Sequence, residues 1–229
     1  MKTLSSILSV LVFSLTAASA DPKTEVSDGI KKLAQQSGYS WTYTPKTEGS
    51  ESARRQGPME GKTEKDGFSH LKVEVGDVTA EVAFKGEKMI VNYNGDWLST
   101  AEIGENNRNV QRLKAMKRPT DEAETLASKA TALKKESDGV YSSDLDGAAA
   151  KEMFALLGRR AAEAPTAKGS VKFWVKDGRL AKYEFVVRGK ITTGEDKREV
   201  DLSRTTTVEI KEVGSTKVSL PEDAKKKLP

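Results

Sequence analysis

His70 is the only histidine in the 229-residue chain, and no cysteine accompanies it. A serine hydrolase would have to draw its general base from this one imidazole. His70 stands in "FSHLKVEV", on the same parity as Lys72 and Glu74. Alternate residues of a strand point the same way, so all three belong to a polar face. No Gly-x-Ser-x-Gly occurs, and no spacing points to a partner, so His70 reads as a surface histidine. One imidazole and no thiolate fall short of the ligand set of a structural zinc or haem site. Thiol catalysis and iron–sulfur clusters are excluded for the same reason. The sequence therefore predicts no catalytic residues, no metal and no cofactor.

Carboxylates number 34, and a glycosidase needs only two of them, but nothing singles out a pair. A carboxylate hydrolase stays open as a third reading without named residues. "SDLDG" lacks the Asp-x-Asp-x-Asp-Gly spacing and the following Glu of a calcium loop, so Asp144 and Asp146 read as turn and cap residues. "KDG" and "YNG" are hairpin turns, not phosphate loops. Arg54-Arg55, Arg159-Arg160 and the run Lys225–Lys227 have the chemistry to dock phosphates or lipid headgroups, and equally suit solvated loops and a tail. Charges are interleaved, 38 basic against 34 acidic, which marks a solvated surface and not a nucleic-acid footprint. The small positive excess suits anionic envelope polymers or lipid headgroups.

The other chemistry on offer is apolar. Trp41, Trp97 and Trp174 all fall in strand-like segments. They suit cross-strand packing, or the wall of a cavity for an acyl chain with adaptable methionines nearby. The candidate lining set is Trp41, Tyr43, Met59, Val82, Phe84, Met89, Phe173, Tyr183 and Phe185.

These residues depend on the elements that present them. Val26, Ile30, Leu33 and Ala34 predict a helix over 24–37 that ends at Gly38. From Tyr39 the period becomes two: Tyr39, Trp41 and Tyr43 alternate with hydroxyl residues. Strands are predicted over about 59–65, 68–75, 78–85 and 88–93, punctuated by Asp66-Gly67, Gly76-Asp77, Lys85-Gly86 and Asn94-Gly95. Short alternating runs between turn signals make an antiparallel meander. "EGSESARRQGP" is predicted as a loop or hairpin tip, and 104–119 as a loop or irregular helix. A helix follows over "TDEAETLASKATALKK", capped by Thr120 and closed by Lys134 and Lys135, and another over about 147–157. In "SVKFWVKDGRLAKYEFVVRGKI" a three-residue loop, 176–178, places Val171, Phe173, Val175, Ala181, Tyr183, Phe185 and Val187 on one face. Further strands are predicted over about 199–210 and 215–219, then an exposed tail. The order predicts an α+β fold: a curved antiparallel sheet, an unclosed half-barrel, with helices packed on one face.

Residues 1–20 read as a secretory signal peptide, with Lys2, an apolar run from Leu4 to Leu15, and small Ala18 and Ala20 before Asp21. Residues 21–229 then form one domain. The expected location is the periplasm or the extracellular space, in soluble form. No later stretch has the roughly 18 apolar residues of a membrane span.

"VYSSDLDGAAAKEMFALLG", "GSVKFWVKDGRLAKYEFVVRGKI" and "TTTVEIKEVGSTKVSLPEDAKKKL" together resemble the C-terminal half of the lipoprotein-carrier superfamily, the LolA/LolB-like periplasmic proteins and the related mycobacterial LppX/LprG group. The order of elements is also similar to an exported bacterial family of unknown function. The resemblance implies a half-barrel lidded by helices, with acyl chains held between. Several members are lipid-anchored, whereas this chain has no cysteine to anchor, which leaves a soluble carrier or binding relative. Two functional readings follow. One is an exported, soluble, non-enzymatic protein that binds a lipid or other hydrophobic ligand between sheet and helices. The other is a solid-core envelope or secreted module that binds a protein partner or an anionic polymer.

Overall fold

The structure, a computed structural model, describes residues 21–49, 56–75, 78–86, 88–93, 95–114, 116–193 and 197–228. The predicted signal peptide, Arg54-Arg55 and the Gly76-Asp77 turn lie outside the described residues. The chain opens with α1 (Pro22–Ala34). A meander follows: β1 (Gly38–Glu48), β2 (Gln56–Glu64), β3 (Ser69–Val75), β4 (Val78–Lys85), β5 (Lys88–Tyr93) and β6 (Asp96–Ser99). Three helices cross back: α2 (Thr100–Ile103), α3 (Arg108–Lys114) and α4 (Pro119–Lys129). Then come β7 (Lys134–Ser137), β8 (Val140–Asp144), α5 (Gly147–Ala155), α6 (Arg159–Ala162), β9 (Ala167–Lys176), β10 (Arg179–Thr193), β11 (Arg198–Lys211) and α7 (Glu222–Lys227).

All eleven strands join one antiparallel sheet in the order β6-β5-β4-β3-β2-β1-β11-β10-β9-β8-β7. The first and last strands meet in the middle, so the sheet is two meanders joined at a seam between β1 and β11. Its edges, β6 and β7, do not pair, and the half-barrel stays unclosed. Residues opposite each other across a ladder share a face. Trp41, Gly61, Leu71, Val82 and Val91 lie on the inner face of one meander. Tyr141, Phe173, Tyr183 and Val208 lie on the inner face of the other. Over the second meander, Val26, Ile30 and Leu33 of α1 and Ala123 and Leu126 of α4 close a core with Phe173 and Tyr183, each nearly or fully buried. Gly29 allows α1 to sit this low, since a Cβ there would stand 3.1 Å from Val175. At the far end of β10, Phe154 of α5 lies on Gly189 and packs with Ala161, Val187, Ile191 and Leu202.

Several boundaries differ from expectation. α1 starts at Pro22 behind Asp21, whose carboxylate accepts from the Thr24 amide at 3.3 Å, and Gly38 opens β1 instead of closing the helix. α4 stops at Lys129, because Ala130 turns extended to bridge Leu145, and Lys134 and Lys135 enter β7. Thr120 lies inside the helix, not at its cap, and its hydroxyl meets Tyr39 Oη at 3.4 Å. The β9–β10 hairpin turns on two residues, Asp177 (φ +52°) and Gly178 (φ +70°), and a bulge between Leu180 and Lys182 restores the face. The core position thus goes to Leu180, not Ala181: the bulge corrects register after the turn, where a longer loop would have done so within it. No strand forms at 215–219, and the predicted exposed tail is packed. Leu220, Ala224 and Leu228 cover Ala83, Ile90 and Trp97 on the outer face of the sheet.

Candidate functional site

Beneath α2, α3 and the segment leading into α4, the inner face is only partly filled. A cavity of about 1030 Å³ opens there between sheet and helices. Its floor is Trp41, Ser69, Leu71, Phe84 and Met89. Lys114, Met116, Lys117, Arg118 and Asp121 form its roof. The rim includes Asp66, Gly86, Lys88, Thr100, Glu105 and Lys227. Trp41 is set flat across Gly61, where a Cβ would stand 2.2 Å from the indole, and its Nε1 donates to Thr63 Oγ1 at 3.1 Å. Trp41, Leu71 and Met89 expose only 4%, 3% and 3%, whereas Phe84 and Met116 are half-buried. The mouth is therefore polar and wet, and most of the apolar floor is screened beneath the roof.

The roof is held at a few points. Ser99 and Glu102 form a capping box that starts α2. Lys227 of α7 reaches round the β6 edge and donates to both Glu102 oxygens, at 2.8 and 3.1 Å. That contact and the Ser99 donors hold the Glu102 carboxyl down to about 2. Arg118 makes two bonds to Asp121, at 2.7 and 3.0 Å. One turn on, Glu122 accepts from the Tyr183 hydroxyl at 2.7 Å. Burial pushes the Glu122 carboxyl up and the Tyr183 phenol well up, and raises Tyr43 to about 12, with the Glu122 charge adding to the last two. Thr206, fully buried beside Tyr43, has a hydroxyl with no hydrogen bond of ordinary geometry.

The nine candidate lining residues all lie on the inner face, but in different surroundings. Trp41, Phe84 and Met89 line the cavity. Val82 is fully buried with Met89 and Val110 of α3. Met59 pairs with Tyr43 across β2 and β1, outside the cavity wall. Phe173, Tyr183 and Phe185 lie in the packed core with α1 and α4. Sequence reasoning missed Leu71, whose alternation with Val73 was its signal, and missed the whole roof. The signal there was Met116 set among Lys114, Lys117 and Arg118 just before Pro119.

His70 is not at the surface as expected. It lies on the outer face with its side chain 12% exposed, its Nε2 2.8 Å from Glu81 Oε2 and its ring 6.2 Å from Trp97. Burial lowers its pKa and Glu81 partly offsets this. The hydroxyls of Ser69 and Ser99 donate to Thr63 and Glu102. Of the basic runs, Arg159 pairs with Glu163, Lys225 with Glu222 and Lys227 with Glu102. Among the described residues, no helix is long and apolar enough to cross a membrane.

No protein-family model matches the chain, and no curated protein matches it. Solved structures with a similar chain path include LprF from Mycobacterium bovis, at 10% identity and a TM-score of 0.49 over 89% of this chain and 97% of that one. The lipoprotein LppX from Mycobacterium tuberculosis matches at 10% identity and 0.49, over 87% of this chain and 98% of that one. A LolA superfamily protein from Nitrosomonas europaea matches at 9% identity and 0.34, over 88% of this chain and 96% of that one. At these identities the likeness is one of chain path alone.

Proposed function

We propose that residues 21–229 form one exported, soluble, non-enzymatic domain that binds a lipid or other hydrophobic ligand between the β1–β6 meander and its roof. The observation that carries this reading is the cavity itself. At about 1030 Å³ it lies at the upper end of the roughly 300–1,000 Å³ usual for ligand pockets, and aromatic and thioether side chains sit beneath a polar mouth. An alkyl chain laid on Trp41, Leu71 and Met89 needs the roof to lift, because these residues are screened beneath it. The shortness of α2 and α3 suits that movement.

The test is to purify the protein without detergent, extract it with organic solvent and identify what it carried by mass spectrometry. A co-purified lipid, or saturable binding of a fluorescent fatty acid with a change in Trp41 emission, supports the reading. An empty extract together with no fatty-acid uptake overturns it.

One feature favours a second reading, an outer face that docks an anionic polymer. Trp174 lies between Lys172 and Lys182, whose amines stand 5.4 and 4.6 Å from its ring. Capture on an anionic polymer that fades as salt rises, and is lost in Lys182→Glu, supports that surface.

A further inference from the structure

We infer that the ligand is an anionic amphiphile: one alkyl chain on the floor, and a phosphate or carboxylate head held by the amines of the roof. The inference rests on the cavity reading above and adds a ligand class to it. Around the cavity stand five cationic side chains, Lys88, Lys114, Lys117, Arg118 and Lys227, and three carboxylates, Asp66, Glu105 and Asp121. The pairings decide which of these charges remain. Arg118 is spent on Asp121, and Lys227 on Glu102. Asp66 accepts from the Phe68 amide within its own turn, and Asp66 and Glu105 stand at the rim with no lysine or arginine partner among the described residues, in segments of the chain separate from that of Met116. Neither Lys114 nor Lys117 meets a carboxylate among the described residues; Lys117 donates instead to the neutral Thr125 hydroxyl at 3.2 Å. Glu122 is near enough for Lys117 to lower its pKa, but that carboxyl is turned to Tyr183.

Two amines that meet no carboxylate among the described residues thus stand on either side of Met116, an apolar residue of the roof that lines the cavity. Apolar floor and cationic roof line the same cavity, which suits an amphiphile with a negative head. A neutral ligand would leave both amines uncompensated and gain nothing from them. A cationic ligand would be repelled. Charge-assisted bonds from lysine to phosphate or carboxylate are stronger than neutral ones, and more so beside apolar walls.

The test is displacement of a fluorescent fatty acid from the full chain by amphiphiles of one tail length, each below its micelle concentration. Hexadecyl phosphate and palmitate are compared with hexadecanol and hexadecyltrimethylammonium, and inorganic phosphate alone is a fifth arm. The anionic pair should bind about tenfold or more tighter than the alcohol, consistent with two charge-assisted contacts. In Lys114→Gln/Lys117→Gln the affinity of the anionic pair should fall toward that of hexadecanol measured on the same variant. Both are exposed-side substitutions that leave the fold intact, and a circular dichroism spectrum checks this. Equal binding of all four tails overturns the head-group inference and leaves the cavity reading standing. Binding of none of them overturns the cavity reading itself. Displacement by inorganic phosphate alone at similar concentration identifies a phosphate site without a lipid, and overturns the inference as well.

Discussion

The two meanders carry the same alternation and end in opposite states. Inward from β8 to β11, Phe173 and Tyr183 are fully buried against α1 and α4. Inward from β1 to β5, Trp41, Leu71, Phe84 and Met89 face a cavity. The sheet does not cause the difference; the covering helices do. α1 and α4 bring Val26, Ile30, Leu33, Ala123 and Leu126, a continuous apolar stripe that closes on the sheet. α2 and α3 are four and seven residues long; their Ile103, Val110 and Leu113 pack on Val82, Met89 and Val91 but leave Trp41, Leu71 and Phe84 beside the cavity. The open meander recovers its packing elsewhere. On its outer face, Leu220, Ala224 and Leu228 close over Ala83, Ile90 and Trp97. A strand pair can leave one face free for a ligand when the other face holds it together.

The sharpest way to break this comparison is to remove a phenyl ring from each side. Phe173→Ala leaves a void in a closed core and should cost about 3–5 kcal/mol, read from urea unfolding. Phe84→Ala removes a half-buried ring that packs on Val82 and Met89 but also borders the cavity, and should cost less, about 1–3 kcal/mol. Equal costs would mean the cavity is packed in solution. Next in size, Leu220→Ala, at a site 4% exposed, should cost about 2–4 kcal/mol. Its footprint should be local: amide exchange should quicken in β4 to β6 and hardly change in β9 to β11. A uniform loss would mean that the outer strap does not serve the open meander in particular. Smaller again is Gly61→Ala, whose methyl would stand 2.2 Å from the Trp41 indole and must displace it, for about 1–3 kcal/mol. Tryptophan emission should shift with it.

Which half was legible follows from the same contrast. Alternation named the inner-face strands and their faces, because a two-residue period survives burial on one side. The edges of β4 and β5 fall where the turn signals put them. Alternation could not separate Phe173 from Phe84, since a filled and an empty face read alike. The roof carried no period at all, so Lys114, Met116 and Lys117 could not be placed over the cavity. The end of α4 was hidden too: Ala130 and Leu133 continue a helical stripe, and only the bridge from Ala130 to Leu145 shows why the helix stops. In the β9–β10 hairpin, parity alone favoured a longer loop, because a bulge after a two-residue turn gives nearly the same face and leaves no mark in the pattern.

The seam between the halves can be probed by pH. Glu122 sits on α4 where the packed core meets the roof: Asp121 beside it lines the cavity, while its own carboxyl turns to Tyr183. Burial raises its pKa, so the folded chain holds that proton to a higher pH than the unfolded chain, whose carboxyl titrates near about 4.3. Between those two values the folded state carries more protons, and stability falls as pH rises. Below the window the group contributes its full relative stability; above it the loss is complete and level. Glu122→Gln cannot titrate and keeps an oxygen for the Tyr183 hydroxyl. Its stability, measured by urea unfolding from pH 4 upward, should therefore lack the part of the wild-type decline that Glu122 supplies, with the variant gaining on the wild type as pH rises. Parallel curves would show that the carboxyl titrates as it does in water. The seam would then be wet, and the cavity would extend past Asp121 to the edge of Tyr183.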